Sequence, residues 1–148
     1  MIKKILFADM IAAPNWQELE DGYAIECRTE GFPKPTPNVE LYTRLEAIGT
    51  LTFFGAFEDG VLMGFISVIC TPAAHYDITL CTTESFFVLE KYRNKGAGLK
   101  LLREAEKFAK EKQAAGLLVS AKSGGRLAEV LEKMDYKENN RVFFKECA

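Results

Sequence analysis

The sequence predicts a mixed α/β fold in which a mostly antiparallel central sheet is flanked by helices. Two observations carry this. Strand-like and helix-like segments follow the order β-α-α-β-β-β-α-β-α-β-β, so some strands adjoin through short turns while others are separated by helices. Adjoining strands give antiparallel hairpins and intervening helices give crossovers. The chain also has the size and balance of one core: 148 residues, 48% hydrophobic and 27% charged. No repeat, low-complexity tract or interdomain linker stands out, so residues 1–148 read as a single domain.

The elements follow in order. Ile2 to Phe7 is a short apolar strand. Pro14 suits the first turn of a helix, where its missing N–H costs nothing. Trp16, Leu19, Tyr23 and Cys27 then recur at three and four, the stripe of a helix from about Trp16 to Arg28. Pro33, Pro35 and Pro37 favour an extended, stiff connection. Asn38 caps a second helix through about Ile48, which Gly49 stops, and Leu41, Tyr42 and Leu45 give it an apolar face. Thr52 to Phe57 and Val61 to Cys70 are strands joined by a hairpin turn at Glu58-Asp59-Gly60. Pro72 to Asp77 reads as a loop, and Ile78 to Leu89 as a long strand. A helix from about Gly98 to Gln113 places Leu101, Leu102, Ala105, Phe108 and Ala109 on one face and Lys100, Arg103, Lys107 and Lys110 on the other. Gly116 to Ala121 is a strand and Arg126 to Met134 a last helix. Tyr136 to Glu138 and Val142 to Lys145 read as a closing hairpin around Asn139-Asn140.

Composition narrows the function. The net charge is −2, whereas nucleic-acid binders show a basic face or high overall charge. Positive charge gathers only locally, from Lys91 to Arg103, which suits a small anionic ligand. The four cysteines form no C-x-x-C pair and His75 is the one histidine, so no metal site is expected. Cys70 and Cys81 lie in apolar runs and read as buried thiols in a reducing, cytoplasmic setting. No segment approaches the roughly 20 apolar residues of a membrane span, and the apolar run after Met1 is too short for a signal peptide.

The segment from Glu84 to Gly98 organises the rest. An apolar strand leads through a basic, glycine-rich turn, Arg93-Asn94-Lys95-Gly96-Ala97-Gly98, into the long helix. A helix start leaves N–H groups without intrahelical acceptors and carries roughly half a positive charge, so it receives anions without any side chain. Glycines there let the backbone take unusual dihedrals and let phosphate oxygens approach. The dinucleotide fingerprint fits poorly, because Leu101 stands where a third glycine is required. The phosphate loop of nucleotide hydrolases fails too, since Gly98-Leu99-Lys100 is not Gly-Lys-Ser/Thr.

Arg93-Asn94-Lys95-Gly96-Ala97-Gly98 instead resembles the Arg/Gln-x-x-Gly-x-Gly/Ala signature of the GNAT superfamily of N-acetyltransferases. Glu84-Ser85-Phe86-Phe87-Val88 resembles the strand that precedes it there. The resemblance implies acetyl-CoA as acyl donor. Its pyrophosphate would lie on the amides of residues 93–98, and its pantetheine arm would lie along a splayed strand carrying Phe86, Phe87 and Val88. It also implies transfer of the acetyl group to a primary amine of a small molecule or peptide by direct attack on the thioester, and related folds make a homodimer the expectation.

The amine must lose a proton, and a carboxylate takes it directly or through one water. Alternation places Thr82, Glu84, Phe86 and Val88 on one side of the strand. Glu84 matches the position where many members carry an acid proposed as general base, and Thr82 stands where some relatives place theirs but has no basic group. His75 is the other candidate, since its ordinary pKa suits proton shuttling. Phe32, Tyr42 and Tyr76 are candidates for the acceptor pocket. One departure matters: the position of the tyrosine that serves as general acid in the family is Leu131 here. Tyr92, Tyr136 or solvent then protonates the leaving thiolate, or else the chain is a non-catalytic acyl-CoA-binding or interaction module that kept the phosphate turn.

Overall fold

The computed structural model describes residues 1–147, which divide into two compact units, residues 1–118 and residues from 119 onward. The first unit is a five-stranded sheet with helices on both faces. Its strands are β1 (Ile2–Ile5), β2 (Leu51–Glu58), β3 (Val61–Ala73), β4 (Ile78–Val88) and β5 (Leu117–Leu118), lying side by side in chain order. The first four are antiparallel neighbours, and β5 joins β4 in parallel. The mixed, mostly antiparallel sheet expected from the sequence is therefore present.

One face is covered by α1 (Phe7–Ile11), α2 (Trp16–Glu26) and α3 (Val39–Ala47). Its core is aromatic: Phe7, Phe53, Phe65 and Phe87 are buried and Trp16, Tyr23 and Tyr42 pack against them. Gly22 of α2 allows the helix to lie close on β4, because a Cβ there would stand 2.8 Å from the Phe87 ring. The other face is covered by α4 (Ala97–Glu111), whose Leu101, Leu102, Ala105, Phe108 and Ala109 are buried, with Phe108 edge-on to Phe54 at 5.4 Å. The stripe read from the sequence is the stripe that packs.

Several expectations are corrected. A short α1 was not foreseen; it is fixed from a distance, by the Glu46 carboxylate accepting from Phe7 N at 3.0 Å. β3 continues through Pro72 to Ala73, so the connection to β4 shrinks to residues 74–77. The turn after β4 takes 3₁₀ form over Glu90–Lys95. Cys70 and Cys81 are joined in a disulfide rather than being separate buried thiols. They are register partners on β3 and β4, and their amides point outward to Thr50 O and Gly116 O, so their side chains face each other across a pair without mutual backbone bonds.

The second unit contains α5 (Arg126–Lys133), closed by Met134 N and Tyr136 N donating to Leu131 O. The expected hairpin of Tyr136–Glu138 with Val142–Lys145 is absent, because residues 135–147 are irregular. Asn139-Asn140 lacks the glycine that such a turn favours, and the unit has no third strand on which two short ones could rest.

Candidate functional site

The site is written along one continuous piece of chain, from Thr82 to Gly98. β4 pairs with β5 only at Cys81↔Leu117 and Thr82↔Leu118. Beyond Thr82, β4 continues to Val88 with no strand on that side among the described residues. A strand side without a neighbouring strand is where an extended ligand can pair.

At the start of this open stretch the β3–β4 register slips. Ser67 faces Ser85, but Val68 faces Thr83, so Glu84 is the extra residue of a bulge. A bulge re-aims side chains, and here it overturns the expected alternation. Phe86 and Val88 point to the α4 face, where a Cβ on Gly98 would stand 3.8 Å and 3.7 Å from them. Glu84 instead turns to the α2–α3 face. Its Oε1 accepts from Tyr42 Oη at 2.7 Å and its Oε2 accepts from Ser67 Oγ at 2.7 Å. Ser67 is fully buried, its Oγ shares a hydrogen bond with Ser85 Oγ at 2.7 Å, and it accepts from Ser85 N at 3.0 Å.

Glu84 itself is exposed. One donor occupies each carboxylate oxygen, and the other lone pairs face outward to water or an amine. The tyrosines around it hold their protons. Burial first, then the Glu84 charge and the hydrogen bond to it, push the Tyr42 phenol far above its ordinary range. Burial, Cys27 and Glu84 push Tyr23 up to about 12. Both rings are therefore neutral at physiological pH, and Tyr42 stands as a fixed donor.

At the other end of the open edge, Gly96 has φ +75° and its carbonyl accepts the first helical bond, from Lys100 N at 3.1 Å. This left-handed residue swings the chain out of the 3₁₀ turn into α4, whose first-turn amides have no acceptor within the helix. Gly98 is helical and a Cβ there would meet only ordinary contacts, so the dihedral freedom expected of both glycines is used only at Gly96. Ala97 is buried and Asn94 is exposed.

The two cations beside the helix start differ. Arg93 is tied down: Nε donates to Val88 O at 2.9 Å, a terminal nitrogen pairs with Glu26 at 2.5 Å, and the guanidinium lies over the Phe87 ring. Lys95 reaches Glu58 at 3.0 Å with both side chains about half exposed, a pairing of little strength that an anion can replace. The α4 start thus presents its first-turn amides beside Lys95, with Arg93 holding the turn.

The remaining candidates scatter. Phe87 is a core side chain packed on Tyr23 and Phe65, and its backbone pairs with Phe65 of β3, so against expectation it does not reach the open side. His75 and Tyr76 stack edge-on at 4.9 Å at the exposed tip of the β3–β4 hairpin. Glu84 lies six residues past Ile78 on β4, about 20 Å along the strand, so His75 does not join it. Phe32 is exposed in the α2–α3 connection. Only Tyr42 is brought to Glu84. Ser67 and Ser85 were missed, although a lone serine within the apolar run of β3 marks a buried polar contact.

Comparison with known proteins identifies the family and the fold. A sequence model of the Acetyltransferase (GNAT) family matches residues 16–136. An uncharacterized N-acetyltransferase of Chlorobaculum tepidum is 30% identical over 128 residues, spanning 85% of this chain and 76% of that protein. Among solved structures, a ribosomal-protein-alanine N-acetyltransferase from Brucella melitensis superposes with a TM-score of 0.73 at 18% identity, over 99% of each chain. An aminoglycoside N-acetyltransferase in complex with CoA does so with a TM-score of 0.73 at 16% identity, over 100% of this chain and 99% of that one. At such identities the structural likeness is one of fold.

Proposed function

Because the chain belongs to the acetyltransferase (GNAT) family of acyltransferases, we propose that it moves an acetyl group from acetyl-CoA to a primary amine of a small molecule or peptide, with Glu84 as general base. The observation that carries this reading is the placing of an exposed, doubly held carboxylate at the head of an open strand edge that ends in a glycine-led helix start.

When bound, acetyl-CoA supplies the activated acetyl thioester: the amine nitrogen bonds to the carbonyl carbon, the C–S bond breaks, and CoA leaves as thiolate. The chain's own residues bind and orient. The amides opening α4, with Lys95, receive the diphosphate. The side of β4 without a neighbouring strand, around Phe86, offers backbone groups to the amide-bearing arm. Glu84 takes the proton released by the amine, directly or through one water, and returns it to solvent. The thiolate takes its proton from solvent, which an ordinary thiol pKa near 8.5 allows, because Leu131 has no proton to give.

The small-molecule and protein acceptors named for the structural relatives, aminoglycosides and ribosomal-protein alanine, set the panel to try. Purified protein is incubated with acetyl-CoA and n-butylamine, an aminoglycoside, a lysine peptide or an alanine-starting peptide, with free thiol as readout. Turnover that Glu84→Gln lowers at least about tenfold, with CoA affinity unchanged, is the expected result. CoA binding without turnover on any amine would replace this reading with that of a binding module.

A further inference from the structure

Ser67 and Tyr42 have no counterpart in the reading of the phosphate turn, yet both spend their hydroxyl protons on the same carboxylate. Resting on the assignment of Glu84 as base, we propose that Tyr42 and Ser67 are positioning residues: they lock Glu84 in the one orientation that takes the amine proton. An extra residue in an exposed strand is free to swing, and a glutamate has three rotatable bonds, so an unheld carboxylate would sample many directions. Here two donors from two different elements fix it. Tyr42 comes from α3, 42 residues away in sequence, and Ser67 from the neighbouring strand, 17 away.

Each donor is itself held. Tyr42 packs on Phe7 and Phe53 at ring distances of 4.6 Å and 5.3 Å. Ser67 accepts from Ser85 N at 3.0 Å, so its own proton is directed elsewhere. Ser85 Oγ then completes a chain of hydroxyls behind the carboxylate. A buried serine with every partner satisfied is a rigid support, whereas a buried hydroxyl left alone would be costly. The support is placed on the inner side of the carboxylate and leaves the outer side to the acceptor.

The test is a double-mutant cycle on the full chain, with n-butylamine and acetyl-CoA each varied up to saturation and free-thiol release as readout. Tyr42→Phe should lower kcat about tenfold with KM for acetyl-CoA and for the amine unchanged, and should have no further effect in the Glu84→Gln background. Ser67→Ala should behave the same way, and carries the test if Tyr42→Phe lowers the thermal midpoint below the assay temperature. An equal effect of Tyr42→Phe in both backgrounds, or a raised KM for the amine with kcat intact, would overturn the proposal while leaving Glu84 as base. A Glu84→Gln protein with parental kcat would instead sink the assignment of the base, as would no thiol release by the parent protein, and the positioning role would go with it.

Discussion

Arg93 Nε donates to the carbonyl of Val88 at 2.9 Å, closing the 3₁₀ turn back onto the last residue of β4. The same guanidinium reaches Glu26 on α2. A residue that the signature places beside the phosphates is, in this fold, a clasp between strand, turn and helix.

Arg93→Ala should therefore act on the turn before it acts on charge. A hydrogen bond from a charged donor contributes about 1.5–3 kcal/mol, and partial exposure discounts the Glu26 pair to little. Urea titration should show a loss of about 1–2 kcal/mol. Arg93→Lys should recover little of it, because an ammonium cannot place one donor on Val88 O and another on Glu26.

The two glycines of the turn should separate cleanly. Gly96→Ala forces a Cβ into a left-handed residue with open space around it, so the cost is backbone strain of about 1–2 kcal/mol. Gly98→Ala meets only ordinary contacts in a helical residue and should leave stability unchanged or slightly raised. Gly98→Asp should fold yet lose most of its CoA affinity, because it sets a negative charge where the diphosphate is received. Calorimetric titration with CoA, beside urea unfolding of each variant, checks all three.

How far the sequence disclosed this site depends on distance along the chain. The strand–turn–helix from Glu84 to Gly98 is local, and its glycines, basic residues and apolar stripe are visible in a row of letters. The aim of Glu84 is not. It hangs on a one-residue slip against β3, and register is a property of two strands together. Tyr42 read as a pocket aromatic because nothing near it mentions a carboxylate 42 residues on. His75 read as a site residue because its chemistry is right, but β3 and β4 run on to Ala73 and Ile78 and carry it to the hairpin tip. The closing hairpin failed for the opposite reason: its letters are strand-like, but a strand also needs a neighbour.

Gly64 is a structural position that no motif marks. A Cβ there would stand 2.6 Å from Phe87 O and 2.8 Å from the Val88 α-carbon, both backbone of the open strand. Backbone cannot step aside as a flexible side chain can. Gly64→Ala should lose about 1–3 kcal/mol and should weaken CoA binding by displacing the β4 edge, measured by unfolding and calorimetry together.

Alkaline stability follows from the two held tyrosines. Tyr23 is raised from 10.0 to about 12, and Tyr42 is raised further, by burial first and by Glu84 after it. Their contribution is intact below pH 10, where both states keep the protons. Above it the unfolded chain ionises while the folded one does not, so stability falls from about pH 10 through 12. Urea midpoints at pH 9, 10 and 11 should decline, and Tyr23→Phe should shallow that decline.

Because the sheet lies in chain order, β1 to β5, each strand finds its neighbour already made when it arrives. Nothing has to be threaded between finished strands, and the only long connections are those through α1 to α3 and through α4. A nascent chain emerging from the ribosome can thus lay down β2, β3 and β4 step by step, each added to an existing template. The order of synthesis and the spatial order of the strands coincide.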